Sequence, residues 1–275
     1  MEYDFLMLAG WQMLPEEYRF HTPEHIRFCT RIFIMHCNYA VLIPARMESV
    51  RFRGKVVYPI LGKPMIWWPW MAAKRAGADE LFIVTDSKEV KAAADGFGAD
   101  VLITEGDFQS GSDRIASVAD TIKADNIINI QADEPLIKSE LINAIAEKLQ
   151  KTVNPVVSAA VRITEEEAAD PDIVKVVFDE KMQALYFSRS PIPYSGSTGV
   201  FWQHIGIYGY KKEFLKQYGK LKKGVLESIE KLEQLRVLEK GFRIDIIETD
   251  LNLIGVDRKI DIEKVEKLMR GGENV

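Results

Sequence analysis

From Tyr39 onward the chain alternates short apolar runs with helix-length amphipathic segments, and this alternation constrains the fold more than any other feature. AVLIP, LFIVTD, DVLIT and NIINIQADEP read as strands, the first apolar throughout as expected of a strand buried on both faces. Between them lie PMIWWPWMAAKRAG, with Pro64 suited to a first helical turn and Gly77 to a C-cap, and SKEVKAAADGFG, opened by Ser87 and ended near Gly96. SGSDRIASVADTIKA and KSELINAIAEKLQK, the latter capped at Ser139, complete the helices of this half. Strands separated by helices of this length require crossover connections, so the chain predicts an α/β fold. Its sheet is mixed but mostly parallel, with helices on both faces.

The second half adds strands at PVVSAAVRI, IVKVVFD, ALYFSR and HIGIYGY. LESIEKLEQLRVLEKG predicts one strong helix closed by Gly241, in which Glu227 and Lys231 form an ordinary i, i+4 pair. FRIDIIET and LNLIGVD then precede a final amphipathic helix, DIEKVEKLMR, and SPIPYSGSTG reads as a surface loop. We expect residues 39–275 to be one α/β domain and residues 1–38 an extension of unclear status. Within that extension Met35 precedes the first convincing strand, which makes the first 34 residues candidates for an early start-codon assignment. His21, His25 and Cys29, four residues apart, could line a helical face, but incidental placement is the better reading.

A net charge of −5 argues against nucleic acid and membrane surfaces as partners. No apolar run approaches the ~20 residues of a membrane span, and no secretory signal opens the chain. Two cysteines make no disulfide framework, so the expected location is cytoplasmic.

Ligands of an open parallel sheet sit beyond the carboxyl ends of its strands. The first strand ends in Arg46, Arg51, Arg53 and Lys55 within ten residues, opposed only by Glu48. The second ends in Thr85 and Asp86, and a later one in Gln131, Asp133 and Glu134. GFGADV fails as a dinucleotide fingerprint because Val101 holds its third glycine position and a strand follows. The GK pairs at 54–55 and 62–63 lack the rest of a Walker A loop, and no GxSxG elbow is present. Guanidinium groups can still grip a triphosphate bidentately while a lysine adds a point charge. Asp133 and Glu134 make sense with Mg²⁺ between them and the phosphates. Cations, carboxylates and nucleotide together point to phosphoryl or nucleotidyl transfer. Against this stand solvated surface charge for the cations, with Arg53 the first bystander, and a simple turn exit for QADEP. Trp67, Trp68 and Trp70 read as core or a dimer contact.

In their order along the chain, IPAR…S.R..GK…GKPMI, VTD, SGSDR, N.Q.DEP, VKVV.D, ALYFSR.PIP, H.GIYGY, LE..EKLEQLR.LE.G and GVD…D.E.V carry a resemblance. Tyr39 to Arg270 resembles the 3-deoxy-manno-octulosonate cytidylyltransferases, or CMP-Kdo synthetases. The resemblance implies a Rossmann-like nucleotide-diphospho-sugar transferase fold with a smaller strand-rich part for sugar binding and dimerisation. It implies transfer of CMP from CTP to 3-deoxy-D-manno-octulosonate (Kdo), with release of pyrophosphate, for lipopolysaccharide core biosynthesis. Arg46, Arg51 and Lys55 would hold the triphosphate, and Ser110, Gly111, Asp113 and Arg114 the cytosine side. Asp133 and Asp257, the latter delivered by a later strand, would hold Mg²⁺. Gln131, Arg189, His204, Tyr208, Glu233 and Gln234 would form the sugar-acid pocket, and Arg46, Lys55, Asp133 and Asp257 the catalytic set. A homodimer is implied.

The sequence departs from that pattern at Val50, at Arg53 where a proline is usual, and at Ala132 where a glycine is usual. Three alternatives stand beside the leading one. The first is the same chemistry on 8-amino-Kdo or a sialic acid. The second is a glycosyltransferase, whose D-x-D metal motif is lacking, DPD at 170–172 lying in the wrong context. The third is an inactive nucleotide-binding homologue.

Overall fold

The structure, a computed structural model, describes residues 38–48, 51–194, 199–251 and 253–271. The readings of His21, His25, Cys29 and Met35 lie outside the described residues. The described residues belong to one compact unit, Cys37–Val275.

The first half runs β1 (Tyr39–Pro44), the hairpin pair β2 (Pro59–Ile60) and β3 (Lys63–Pro64), α1 (Trp67–Ala76), β4 (Glu80–Thr85), α2 (Lys88–Asp95), β5 (Asp100–Ile103), α3 (Gly111–Val118), β6 (Asn126–Ile130) and α4 (Ser139–Lys151). The second runs β7 (Val156–Ile163), α5 (Glu165–Ala168), β8 (Lys175–Phe178), β9 (Ala184–Ser188), β10 (Phe201–Lys211), α6 (Lys212–Tyr218), α7 (Val225–Glu230), α8 (Leu235–Glu239), β11 (Ile244–Thr249) and α9 (Lys259–Gly271). The main sheet has the order β11-β7-β10-β6-β1-β4-β5. β1 pairs in parallel with β4 and β6, β4 with β5, and β7 with β11, while β10 enters antiparallel between β6 and β7. β8 and β9 form an antiparallel flap attached to β10. The mixed, mostly parallel α/β sheet read from the sequence is the observed fold.

β1 shows why the sheet is covered twice. All six of its residues are buried, with Val41 and Ile43 in the core beneath α1 and α4. Ala40 and Leu42 enter the opposite core beneath α3 and α6. Alternate side chains of a strand point to opposite faces, so a continuous apolar run demands a layer on each side. The Ser87 side chain caps α2, and Gly77 ends α1 in the left-handed conformation, as read from the sequence.

Four local expectations are corrected. α1 begins at Trp67 rather than at Pro64, which is spent on the β2–β3 hairpin, and Pro69 occupies its first turn instead. Ser139 is the first helical residue of α4 and not its cap, which is Lys138. The helix expected at 226–241 breaks into α7 and α8, because Lys231 turns left-handed at φ 56°. Glu227 consequently faces Arg236 rather than Lys231. Finally, the described residues of LNLIGVD form no strand, so Asp257 arrives on irregular chain pinned by the bond from Val256 N–H to the Asp133 carbonyl, 2.9 Å. Trp70 is core, packed on Phe97 at 5.0 Å between centroids, while Trp67 and Trp68 are half-buried.

Candidate active site

Two cavities open beyond the carboxyl ends of the central strands. The first, about 300 Å³, is lined by Arg46 after β1, Lys55, Gly111 at the start of α3, and Gln131 and Asp133 after β6. Ser110 caps α3, accepting from Asp113 N–H at 3.1 Å, and Ser110 and Gly111 place the positive dipole end of this helix at the cavity wall. Gly111 packs closely here: a Cβ would stand 3.0 Å from Pro44 Cγ and 3.1 Å from Gln131 Oε1, tighter than ordinary contact. The helix therefore starts in close contact with β1 and β6. Arg114, buried at the cavity wall, donates to Thr104 Oγ1 (2.7 Å) and Asp86 Oδ2 (2.8 Å) and stacks on Phe108.

The cations after β1 are not equivalent. Arg46 is exposed at the cavity and has no ion pair among the described residues. Lys55 is 8% exposed, and its Nζ donates to Asp133 Oδ2 (2.6 Å), to the Val256 carbonyl (2.8 Å) and to Asp257 Oδ1 (3.2 Å). Burial pulls the Lys55 ammonium down, but Asp133 and Asp257 outweigh it and leave the group above its usual range. Arg51 bridges Asp172 (3.0 Å) and Asp257 (2.8 Å), and Arg258 also reaches Asp172 (2.9 Å). Arg53 is exposed and does not line the cavity. Ala132 lies in the cavity wall without a positive φ, so its methyl group strains no backbone.

Asp133 and Asp257 converge on one ammonium, which marks a point where two hard carboxylates can share a cation. Among the described residues no group of three or more His, Cys, Asp or Glu could hold a metal alone. Two carboxylates that need phosphate oxygens to complete the shell are a donor set that fits Mg²⁺.

The second cavity, about 580 Å³, meets the first at Asp257, which lines both. Its wall includes Glu134, His204, Tyr208, Gln234 and Arg258. Tyr208 OH donates to Gln234 Oε1 at 3.3 Å. His204 pairs with Ser158 Oγ through Nε2 at 2.9 Å and lies edge-on to Phe187. Burial lowers its pKa to about 3, so the imidazole is neutral near pH 7. Because an unfolded histidine titrates near 6.5, below that pH the unfolded chain takes up a proton that the folded chain refuses. Stability should therefore fall with pH, by about 2 kcal/mol between pH 7 and 5 from this residue alone. Urea unfolding of His204→Gln at both pH values checks this, the variant losing correspondingly less; an identical pH dependence would remove the assignment.

Four other residues stand apart from their expected neighbours. Asp113 does not line the first cavity and instead pairs with Arg236 at 2.6 Å. Glu233 is half-buried behind α3, accepting from Ser112 Oγ at 3.0 Å, and does not line the sugar-side cavity. The Arg189 guanidinium also lies outside that lining, bonded to the carbonyls of Pro171 (3.0 Å) and Glu230 (3.1 Å). Gln131 falls in the first cavity rather than the second. Asp172 is the last residue of the DPD set aside in the sequence and Arg258 directly follows GVD, and the structure places both at the second cavity.

A sheet edge that offers cations, a helix N-terminus and two convergent carboxylates is built for nucleotidyl transfer. A family model described as cytidylyltransferase matches residues 40–247. The 3-deoxy-manno-octulosonate cytidylyltransferase of Fusobacterium nucleatum is 42% identical over 229 residues, covering 82% of this chain and 94% of that protein. The mitochondrial enzyme of that name from Arabidopsis thaliana is 41% identical, covering 83% of this chain and 82% of its own. A solved structure of CMP:2-keto-3-deoxy-manno-octonic acid synthetase complexed with CTP superposes with a TM-score of 0.81 at 37% identity, covering 85% of this chain and 99% of that one. The chain belongs to the cytidylyltransferase family and, within it, to the 3-deoxy-manno-octulosonate cytidylyltransferases.

Proposed function

We propose that this nucleotidyltransferase transfers CMP from CTP to Kdo, giving CMP-Kdo and pyrophosphate. The observation that carries the reading is the meeting of the two cavities at Asp257, where a nucleotide and an acceptor would come into contact. The nucleotide fills the first cavity, its cytosine side against Ser110, Gly111 and Arg114 and its triphosphate toward Arg46, Arg51 and Lys55. To reach phosphate oxygens, Arg51 and Lys55 exchange the carboxylates they hold here. The acceptor fills the second cavity, against His204, Tyr208 and Gln234. Its anomeric hydroxyl oxygen attacks the α-phosphorus, the bond to the bridging oxygen breaks, pyrophosphate departs with that electron pair, and the hydroxyl proton is released. Arg46, Arg51 and Lys55 neutralise the charge that grows on the leaving group. Asp133 and Asp257 would hold Mg²⁺, which when bound supplies polarisation of the phosphate.

The reading extends to lipopolysaccharide core synthesis, a cytoplasmic location and a homodimer. No helix among the described residues is long and apolar enough to cross a membrane. Exposed Leu185 on β9 and Val225 and Ile229 on α7 support self-association through the flap side.

Incubation with each of the four nucleoside triphosphates, Mg²⁺ and Kdo, 8-amino-Kdo or N-acetylneuraminate should release pyrophosphate fastest with CTP and Kdo. No release with CTP and any of these acids would sink the reading.

A further inference from the structure

Glu134 was grouped with Asp133 by the sequence, as a second carboxylate facing magnesium. The structure turns the two apart. Asp133 lines the first cavity and holds Lys55, whereas Glu134 lines the second and bonds no cation. The Glu134 backbone is fixed, its N–H donating to the Gln131 carbonyl (3.2 Å) and its carbonyl accepting from Ile137 N–H (3.3 Å). Its carboxyl group wedges between two glycines of the same cavity wall. A Cβ on Gly255 would stand 3.2 Å from Oε1, and one on Gly206 would stand 3.4 Å from the same atom. Neither glycine has a positive φ, so what they share is the room they leave for this carboxyl group.

Among the described residues, Glu134 Oε2 is the one buried side-chain nitrogen or oxygen without a hydrogen-bond partner. Leaving a buried polar atom unsatisfied costs roughly 1–3 kcal/mol, and native chains rarely bear that cost without a use for it. Lys55 cannot supply the partner, since it is already shared by Asp133, Asp257 and the Val256 carbonyl. No described residue supplies the partner, which leaves the ligand that fills the cavity to supply it. Asp257 lines the same cavity, so an anionic group placed beside Glu134 would meet repulsion. A hydroxyl group carries no charge and can donate or accept.

We propose that Glu134 binds the acceptor: its carboxyl group hydrogen-bonds a hydroxyl of the sugar acid beside Asp257, and Gly206 and Gly255 keep the space that holds it there. The inference rests on the cytidylyl-transfer reading and deepens it, because it makes this residue a test for a polyhydroxylated acceptor. A site built to hydrogen-bond a hydroxyl discriminates strongly against analogues that lack it.

The experiment compares Glu134→Leu, Glu134→Gln and Gly255→Ala with the wild type in steady-state kinetics with CTP and Kdo, calorimetric CTP binding and thermal unfolding. Glu134→Leu should raise the KM for the sugar acid about tenfold or more, which is the loss of one such bond. CTP affinity should stay within about twofold, and the melting temperature should hold or rise as the unsatisfied atom disappears. Glu134→Gln keeps a hydrogen-bonding group and should fall between. Gly255→Ala leaves the carboxyl group but crowds it, and should move the same KM. Should the leucine variant fail to fold, the other two carry the test. A sugar-acid KM within twofold of wild type in all folded variants overturns the proposal, as does CTP affinity falling in step with it. A wild-type protein that releases no pyrophosphate from CTP and Kdo would instead overturn the underlying reading, before any variant is compared.

Discussion

Replacing Asp257 by asparagine is expected to lower turnover by on the order of 10³-fold while the protein stays folded, and Asp133→Asn should do the same. Both carboxylates touch the Lys55 ammonium, so both lie where a cation is stabilised by negative charge. The amide keeps the shape of the side chain and removes the charge that a hard divalent ion requires. Losing several kcal/mol of electrostatic stabilisation at the reacting phosphate gives the magnitude. Folding should barely respond. In Asp257→Asn, Lys55 keeps Asp133 and the Val256 carbonyl, and the lost Arg51–Asp257 pair is more than 40% exposed on both sides. Such pairs contribute about 0–1 kcal/mol, which for a chain of this size moves the melting temperature by about 4 °C at most. Pyrophosphate release under saturating CTP and Kdo, with a melting curve beside it, measures both. A variant within tenfold of wild type would remove that residue from the proposed metal pair. A variant that loses activity and most of its stability together would show Asp257 or Asp133 to be structural.

The sequence carried the frame of this site because its strongest signals are local. An apolar run that ends in four cations places those cations at a strand's carboxyl edge, and β1 with Arg46, Arg51 and Lys55 is that arrangement. QADEP at the end of β6 was legible for the same reason. Direction was less legible than position. Asp113 and Arg114 are adjacent on α3, yet one turns to Arg236 and the other to the cavity wall. Glu233 and Gln234 are adjacent as well, and only Gln234 reaches the second cavity. Helix phase separates Asp113 and Arg114 by about 100°, and Glu233 and Gln234 lie in the turn between α7 and α8, so adjacency cannot say which of two residues faces a ligand. Long-range pairs were the least legible. Lys55 meets residues about 80 and 200 positions away, and only the completed sheet brings Asp257 beside it.

The other large effect concerns stability and follows from the helix that the sequence read as continuous over 226–241. Arg236→Ala is expected to cost about 3–5 kcal/mol, the penalty for stranding a buried charge. Arg236 grips Glu227 through Nε (2.8 Å) and Nη2 (2.6 Å), and Asp113 through Nη1 (2.6 Å) and Nη2 (3.2 Å). The Arg236 and Glu227 side chains are only 5% and 4% exposed. Burial alone would pull the guanidinium down, but bonds from Glu227 and Asp113 hold it above its usual range. The break at Lys231 makes this cluster possible. In one continuous helix, nine residues would separate Glu227 and Arg236 by ~13.5 Å along the axis. Left-handed Lys231 folds α8 back so that they meet. Truncating Arg236 leaves Glu227 buried without its main partner and releases Asp113 beside the cap of α3, so CTP affinity should fall with stability. The double variant Glu227→Gln/Arg236→Met removes both buried charges and should recover much of the loss, because a paired burial is roughly neutral against apolar replacement. Denaturant unfolding of Glu227→Gln, Arg236→Met and the double variant measures the coupling. A loss below about 1 kcal/mol in Arg236→Ala would show that the broken helix is held by its packing on Tyr218 and the β9 flap rather than by this ion cluster.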